Sequence, residues 1–218
     1  MPGPAKTEDP TELTSEAKND DPTEISIEAV QETNEDLGQG LVISDIGSYV
    51  GVYMEDGTDE FVSGVLMLVL TNASELPLEY AEIQLTANDA PATFTVSTLP
   101  AGASVVLLEQ NRMPFEENMT FENTEIKHIS FFDEPLDLCT DKLQIQGLNG
   151  VLNIINVTEE DITGDIEIYY KNSSRDMYYG GITYRVRITG GLKAKEVKQI
   201  VSDHFSESGS TVMFVKCG

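Results

Sequence analysis

Residues 63–74 read SGVLMLVLTNAS, and residues 163–174 read TGDIEIYYKNSS. The two stretches share a glycine, an asparagine and a serine in register: Gly64, Asn72 and Ser74 against Gly164, Asn172 and Ser174. Apolar residues alternate along both stretches, which is typical of a β-strand with one face in a core, and Asn-x-Ser at the end is typical of a turn. The match at a spacing of 100 residues predicts an internal duplication.

The same pattern continues on both sides of these stretches. In residues 182–188, Ile, Tyr, Val and Ile alternate with Thr, Arg and Arg, so one face is apolar and the other polar. Residues 81–86 alternate in the same way, and turn sequences such as Pro-Ala-Gly at residues 100–102 separate the runs. The apolar residues of 197–205 also fit a short helix, but the repeat favours strands there.

Several short strands in each repeat of roughly 90 residues are typical of a β-sandwich. We therefore predict an all-β fold with two tandem immunoglobulin-like β-sandwich domains, residues 41–138 and residues 139–218, the second an internal repeat of the first. Residues 1–40 carry much Thr, Glu, Asp and Pro and begin with a stretch that has hardly an apolar residue. Such a segment buries too little surface to offset its ordering entropy, so we predict a flexible acidic stalk.

The start of the sequence lacks the basic and apolar regions of a signal peptide. Two interpretations are open: the protein is cytoplasmic, or the numbering begins after an export signal or a membrane anchor. An acidic, proline-spaced leader before β modules favours the second, and with it an extracellular or cell-surface location. No apolar run approaches the roughly 20 residues that span a bilayer, so this chain is not expected to insert directly into a membrane.

The formal net charge is -25, from 13 basic and 38 acidic residues, which makes nucleic acid an unexpected partner. The charge is unevenly spread. Residues 1–40 hold 11 acidic and 2 basic residues, residues 41–138 hold 17 and 2, and residues 139–218 hold 10 and 9. A strongly acidic first domain would attract the basic strip of a near-neutral second domain in another copy, so charge-driven self-association is one hypothesis.

The order of motifs in the first repeat is a glycine-opened alternating strand, an Asn-x-Ser turn, a second alternating strand and a Pro-Ala-Gly turn before a closing strand, VSGVLMLVLTNAS, EYAEIQL and FTVSTLPAGASVVL. This order resembles the FxLYD-type and related immunoglobulin-like modules of extracytoplasmic proteins in Gram-positive bacteria. The second repeat keeps the first three elements and lacks the Pro-Ala-Gly turn. The resemblance implies a surface-exposed binding or spacer module and carries over no catalytic residue.

The sequence has no motif of a known catalytic centre: no GxSxG, no HExxH and no P-loop. We therefore predict a non-enzymatic protein without a cofactor or a catalytic residue. Two acidic runs, residues 55–60 and residues 159–165, hold closely spaced carboxylates of the kind that bind calcium. Their spacing differs from the D-x-D-x-D-G pattern, and acidic loop tips are also common because they stay solvated, so no metal site is predicted.

Two cysteines, Cys139 and Cys217, flank the second predicted domain. Their spacing fits neither a zinc site nor a redox CxxC motif. A disulfide that closes the domain and a pair of free thiols are both open, because the ends of two strands need not lie at the same end of a sandwich.

The two repeats differ on their predicted outer faces. Val65, Met67 and Val69 of the first repeat stand where the second has polar or aromatic residues, so this strand is apolar on both sides. An exposed apolar ridge calls for a cover. Three covers are open: another element above a central strand, the leader segment around Ile25, Ile27 and Val30, or a partner.

The second repeat carries five of the eight tyrosines and a basic strand face. Tyrosine and arginine are the usual hot-spot residues of protein recognition, and tyrosine also stacks on sugars. The predicted interface residues in the two repeats are Val65, Met67, Val69, Tyr169, Tyr178, Tyr179, Arg185 and Arg187.

These observations predict a non-catalytic bacterial protein, displayed on the cell surface or secreted, whose β-sandwich modules bind a protein or glycan partner or another copy. A carbohydrate-binding accessory module and a purely structural envelope spacer are the alternatives.

Overall fold

The computed structural model describes residues 25–148, 150–174 and 176–218, except for the side chain of Ala29. Within these residues the regular structure is thirteen β-strands and no helix, so the chain is all-β as predicted. The strands are β1 Ser26–Gly38, β2 Leu41–Tyr53, β3 Glu60–Asn72, β4 Leu78–Ala87, β5 Ala90–Leu99, β6 Ser104–Leu108, β7 Phe121–Phe131, β8 Leu143–Leu148, β9 Val151–Asn156, β10 Ile166–Ser174, β11 Met177–Ile188, β12 Val197–Val201 and β13 Ser210–Cys217.

One seven-stranded sheet runs through both halves of the chain. Its order is β1-β2-β3-β6-β11-β10-β13, and two three-stranded sheets, β5-β4-β7 and β12-β9-β8, complete the fold. All neighbouring strands pair antiparallel except β6 and β11, which pair parallel. Since β2–β7 belong to the first half and β8–β13 to the second, the parallel pair joins the two halves into one sheet.

Each half buries its own apolar core between two sheets. The first core lies between β2, β3 and β6 on one side and β4, β5 and β7 on the other; its fully buried members include Leu66, Leu68, Leu70, Ile83, Phe94 and Val96. The second core lies between β8 and β9 and the β10–β11–β13 layer, with Leu152, Ile154, Ile166, Ile168 and Tyr170. A buried side chain of this size contributes roughly 1.5–3 kcal/mol. These cores are the alternating positions that the sequence pattern indicated.

The two halves connect their strands in the same order, but with a different correspondence from the one the sequence suggested. Sheets β2-β3-β6 and β5-β4-β7 of the first half match β8-β9-β12 and β11-β10-β13 of the second. Strand β3 therefore corresponds to β9, whereas residues 166–174 of TGDIEIYYKNSS form β10, the counterpart of β4. The predicted correspondence of residues 63–74 with residues 163–174 is therefore wrong. Any two alternating strands that end in Asn-x-Ser give such a match.

The side chains of Asn72 and Asn156 show the correspondence directly. Both are fully buried. The Asn72 amide donates to the carbonyls of Leu76, Leu99 and Pro100, and the Asn156 amide to those of Glu160, Leu192 and Lys193. Each side-chain oxygen accepts from the backbone N–H and the hydroxyl of the Ser or Thr two residues later, Ser74 or Thr158. Both asparagines thus tie the end of one strand to the turn before another.

That second turn is also repeated. Gly102 has a φ of 74°, and Lys195 takes the equivalent place with a φ of 59°. The Pro-Ala-Gly turn, which seemed absent from the second half by sequence, is therefore present there as a backbone conformation. The segment after it, Val197–Val201, forms strand β12, which confirms the strand prediction over the helical one.

The ends of the chain add two features. The flexible stalk was predicted over residues 1–40. Its second part is a correction, because Ser26–Gly38 forms β1 and pairs with β2, whereas residues 1–24 lie outside the described residues. Cys139 and Cys217 form a disulfide that joins the segment before β8 to the end of β13. Of the two alternatives for the cysteines, the structure has the bridge.

Candidate functional site

A groove lies at the junction between the two halves. The parallel pairing of β6 with β11 brings Ser104–Val106 beside Met177–Tyr179, and the groove opens next to this pairing with a volume of about 970 Å³. Its lining comes from the ends of β2 and β10, the start of β11 and the loop before β13. The lining residues are Ile25, Val52, Met54, Asp59, Asn172, Ser173, Ser174, Asp176, Met177, Tyr179, Asp203, His204, Ser206, Ser208 and Gly209.

The lining combines an apolar part with hydrogen-bonding groups. Met54, Met177 and Tyr179 supply flexible and aromatic surface, while aspartates and serines supply oxygen atoms. Among the described lining residues no lysine or arginine occurs. Apolar walls with a few convergent polar groups are typical of binding sites, and this set suits a ligand with an apolar body and donor groups.

His204 fixes one wall of the groove. Its ring stacks on that of Tyr184 at a centroid distance of 4.6 Å, and its Nδ1 lies 2.9 Å from Oδ2 of Asp59. Tyr184 in turn stacks on Tyr170, whose ring centroid is 5.3 Å away. Because Asp59 belongs to the first half and the other three residues to the second, this series of contacts holds the wall across the junction.

A pair of ionisable side chains underlies the junction, the partly buried Glu55 and the fully buried Lys171. The carboxylate of Glu55 accepts hydrogen bonds from the backbone N–H groups of Leu108 and Gly181, at 2.9 and 2.7 Å. The ammonium of Lys171, which is fully buried, donates to the carbonyls of Gly181 and Ile182, at 3.0 and 2.7 Å. Glu55 therefore binds the backbone N–H of Gly181, and Lys171 binds the backbone carbonyl of the same residue.

Burial shifts both charged groups toward neutrality. Desolvation raises the pKa of Glu55 to about 7, against the opposing effect of its two backbone hydrogen bonds and of Lys171. Desolvation also lowers the pKa of Lys171 to about 7, against the opposing charge of Glu55. Perturbed ionisable groups are common at functional sites, but an ion pair in a structural contact perturbs pKa values as well.

Gly181 is the point of closest approach between the halves. A Cβ atom on Gly181 would lie 1.8 Å from the carbonyl oxygen of Thr95 and 2.8 Å from Oε2 of Glu55. The hydroxyl of Ser97 donates to the carbonyl of Gly181 and lies 3.0 Å from the hydroxyl of Thr183. Only glycine leaves room for β5 to pack on β11 here, so the junction beneath the groove is closely packed.

The apolar ridge of the first half is covered within the chain. Val65, Met67 and Val69 are 4%, 0% and 5% exposed. They belong to a third apolar cluster, formed with Tyr49, Tyr53, Met54, Val106 and Leu108. Ile25 and Ile27 pack against this cluster from the leader, and Met177 and Tyr179 pack against it from β11. Val30 is 48% exposed. These three side chains consequently offer no free surface, because β1 and the second half cover them.

Three of the other predicted residues lie together on the outer face of β10 and β11. Tyr169 pairs with Arg185 across the two strands, and Glu167 pairs with Arg187. Both arginines bind acidic neighbours, since Arg185 lies 3.3 Å from Oε1 of Glu167 and Arg187 bonds Asp165. The Tyr169 ring stacks on Phe214 of β13. Tyr169, Arg185 and Arg187 thus share one face with neutralised charges.

The remaining two predicted tyrosines are neighbours in sequence but pack against different apolar clusters. Tyr178 packs against the first core, and burial raises its pKa. Tyr179 lines the groove and packs against the third cluster. Since their side chains leave β11 on opposite faces, the eight predicted interface residues do not form one surface.

Sequence reasoning missed the charged pair. The alternation of Tyr170 with Lys171 indicates a solvated position for the lysine, but the junction with the first half covers this end of β10. One sequence signal was available: the adjacent glycines 180 and 181 inside a strand pattern indicate a close backbone approach.

The carboxylates of the two acidic runs bind groups of the protein. In the first run, Glu55 and Asp59 make the junction contacts described above, and Asp56 and Glu60 bind Arg112. In the second run, Glu159 binds Lys195 and Asp165 binds Arg187. In the part of the chain that the structure describes, no group of three or more His, Cys, Asp or Glu side chains is placed to hold a metal ion.

No protein-family model matches the chain, and no curated protein matches it either. Among the described residues no helix is long and apolar enough to cross a bilayer.

Proposed function

We propose that this protein is a non-catalytic interaction protein of a bacterial surface, built of two tandem immunoglobulin-like β-sandwich modules, which binds a protein or glycan partner in the junction groove. The observation that carries the proposal is the groove itself, which lies on a closely packed junction and combines apolar with hydrogen-bonding groups. Elements from both halves supply its lining. A partner in the groove would thus contact both modules.

The rigidity of the junction supports this role. The parallel pairing of β6 with β11, the bonds of Glu55 and Lys171 to Gly181, and the contact of β5 with that residue all cross or border the junction. A preformed groove loses little conformational entropy on binding, which favours affinity.

The Cys139–Cys217 disulfide supports a location outside the cytoplasm, because structural disulfides persist in oxidising compartments and are rare in the cytosol of mesophiles. Extracellular display also agrees with the resemblance of the first repeat to modules of extracytoplasmic proteins. Mass spectrometry of the native protein, alkylated without reduction, tests this: a protein recovered with two alkylated thiols argues for the cytoplasmic alternative.

The groove is tested by reversing its charge at two exposed positions. Asp176→Arg with Asp203→Arg changes the lining, and Asp133→Arg with Glu134→Arg is a matched control that makes the same charge change at exposed positions outside the groove. Wild type and both variants are applied to a glycan array and to intact bacterial cells, with bound sites mapped by cross-linking mass spectrometry.

We expect binding by the wild type and the control and none by the groove variant. A signal on the array identifies a carbohydrate-binding module, whereas a blank array with cross-links to a surface protein identifies a protein partner. A groove variant that binds as well as the wild type would overturn the groove as the site. No binding by any form would leave the spacer alternative.

A further inference from the structure

Four asparagines of the chain begin the triplet Asn-x-Ser/Thr, the acceptor signal for N-linked glycans. They are Asn72, Asn118, Asn156 and Asn172. The same triplet also suits a simple turn, so the sequence alone does not separate a glycan acceptor from a structural asparagine. The fold does separate them, because a bulky, hydrophilic glycan can be attached only where the side-chain amide is accessible.

Three of the four side-chain amides are used by the fold. Asn72 and Asn156 are 0% exposed, and each donates to the three backbone carbonyls described above. Asn172 is half-buried in the groove, and its Nδ2 lies 3.3 Å from the sulfur of Met54. A transferase would have to open the end of a strand to reach any of these three.

Asn118 differs from them, since it is exposed in the loop between β6 and β7. The loop turns tightly there: the Met119 N–H donates to the carbonyl of Glu116 at 3.2 Å, and Asn118 has a φ of 66°. Asparagine tolerates this left-handed conformation better than most residues. Phe115 and Met119 pack against the first core on either side, so the turn is anchored below and Asn118 faces solvent. Its side-chain amide has no hydrogen-bond partner among the described residues.

The hydroxyl residue of this triplet, Thr120, is exposed as well. Its backbone N–H donates to Oδ1 of Asn88 at 3.0 Å, and its carbonyl accepts from the Asn88 N–H at 3.1 Å. The Thr120 hydroxyl lies 3.4 Å from the same Oδ1, which is long for a hydroxyl hydrogen bond and leaves the group free to bond elsewhere. The end of the loop is therefore fixed to the β4–β5 hairpin while both polar groups of the triplet stay accessible.

We propose that Asn118 is a site of N-linked glycosylation, modified by a cellular transferase. The co-substrate is an oligosaccharide joined through phosphate to a lipid. Nδ2 of Asn118 forms a bond to the anomeric carbon of the first sugar and loses one proton. The bond from that carbon to the phosphate oxygen breaks, and the phosphate leaves with the electron pair. No residue is oxidised or reduced.

The glycan is compatible with the proposed binding site, because none of residues 109–120 lines the groove. The inference rests on one part of the proposed function, the location outside the cytoplasm, since this triplet is an acceptor in secreted proteins. It does not depend on which partner the groove binds.

The test is mass spectrometry of the full chain purified from the cells that naturally produce it. Trypsin cleaves after lysine and arginine, so it releases residues 113–127, MPFEENMTFENTEIK, in which Asn118 is the only one of the four acceptor asparagines. Asn118→Gln removes the acceptor amide and Thr120→Val removes the hydroxyl. Thr120→Ser is the matched control, because it changes the same residue and keeps the hydroxyl. Thermal unfolding of each variant confirms that it folds.

We expect the mass of this peptide to exceed that of its amino acids by a whole number of sugar residues in the wild type and in Thr120→Ser. The added mass should be absent from Asn118→Gln and from Thr120→Val. An unmodified wild-type peptide in a chain whose two cysteines are bridged would overturn the glycan site and leave the proposed location standing. An unmodified peptide together with two free thiols would overturn both. Added mass that persists in Asn118→Gln would place the modification on another residue and refute the proposal.

Discussion

The substitution Gly181→Ala tests whether the two halves depend on the contact at the junction. A methyl group at this position would lie 1.8 Å from the carbonyl oxygen of Thr95, a backbone atom that cannot turn away as a side chain can. Strand β5 would have to move from β11. That movement would also disturb the hydrogen bond from the Gly181 N–H to the Glu55 carboxylate, 2.7 Å long in the native structure.

The magnitude follows from these two effects. Forcing an extra methyl into a packed site costs typically about 1–3 kcal/mol. Losing a hydrogen bond to a charged acceptor costs about 1.5–3 kcal/mol. Together they predict a loss of roughly 3–5 kcal/mol, a large share of the 5–15 kcal/mol typical of a folded protein.

Gly209→Ala is the matched control, because the added methyl would lie 3.3 Å from a side-chain hydroxyl, that of Ser206, and neither glycine has a positive φ. At such a site, alanine changes stability by no more than about 1 kcal/mol. Urea unfolding followed by circular dichroism measures both variants. If Gly181→Ala unfolds at the same urea concentration as Gly209→Ala, the close contact between β5 and β11 does not exist as described.

Three further predictions concern the buried polar groups and the disulfide. Asn156→Ala removes the donor to three carbonyls and should lower the free energy of unfolding in urea by about 3 kcal/mol. Asn72→Ala, the same change at its counterpart in β3, should cost as much. A loss below about 1 kcal/mol would contradict this, since exposed substitutions cost that little. Replacing Cys139 and Cys217 by serine frees a loop that spans 78 residues and should lower the free energy of unfolding by about 4 kcal/mol. Reducing the wild type with dithiothreitol should give the same loss. An unchanged melting temperature would refute the prediction. Glu55 keeps its proton up to a pH of about 7 in the folded state but only to about 4.5 unfolded, so stability falls as pH rises between these values. The pKa of Lys171 is lowered to about 7 in the folded state, so stability rises again from there toward pH 10.5. The difference in unfolding free energy between wild type and Glu55→Gln with Lys171→Met should therefore show a minimum near neutral pH, and a pH-independent difference would exclude these two shifted groups.

Much of the local structure was predictable because it depends on the chain's own alternation. The periods of two in residues 81–86 and 182–188 predicted strands with one buried face, and β4 and β11 follow them. Turn residues separated the runs correctly, since proline, glycine and asparagine restrict or permit backbone angles locally. The all-β class and the main core positions follow from these signals.

The correspondence between the halves was not predictable from the same pattern. Alternation has no direction or partner, so residues 163–174 matched residues 63–74 as well as any other strand. Asn156 makes the same kind of hydrogen bonds as Asn72, but only when the turns at Leu99 and Leu192 are folded beside the two asparagines. The contacts that distinguish the repeat are between segments far apart in sequence.

The sequence by itself determined which residues alternate, where the chain turns, and that the charge is concentrated in the first part, because each of these is a property of neighbouring residues. Only the tertiary structure decided that Met67 is covered, that Lys171 is buried beside Glu55, and that a groove opens at the junction. The reason is physical: burial depends on which strand lies opposite, and the parallel pairing of β6 with β11 joins residues about seventy positions apart.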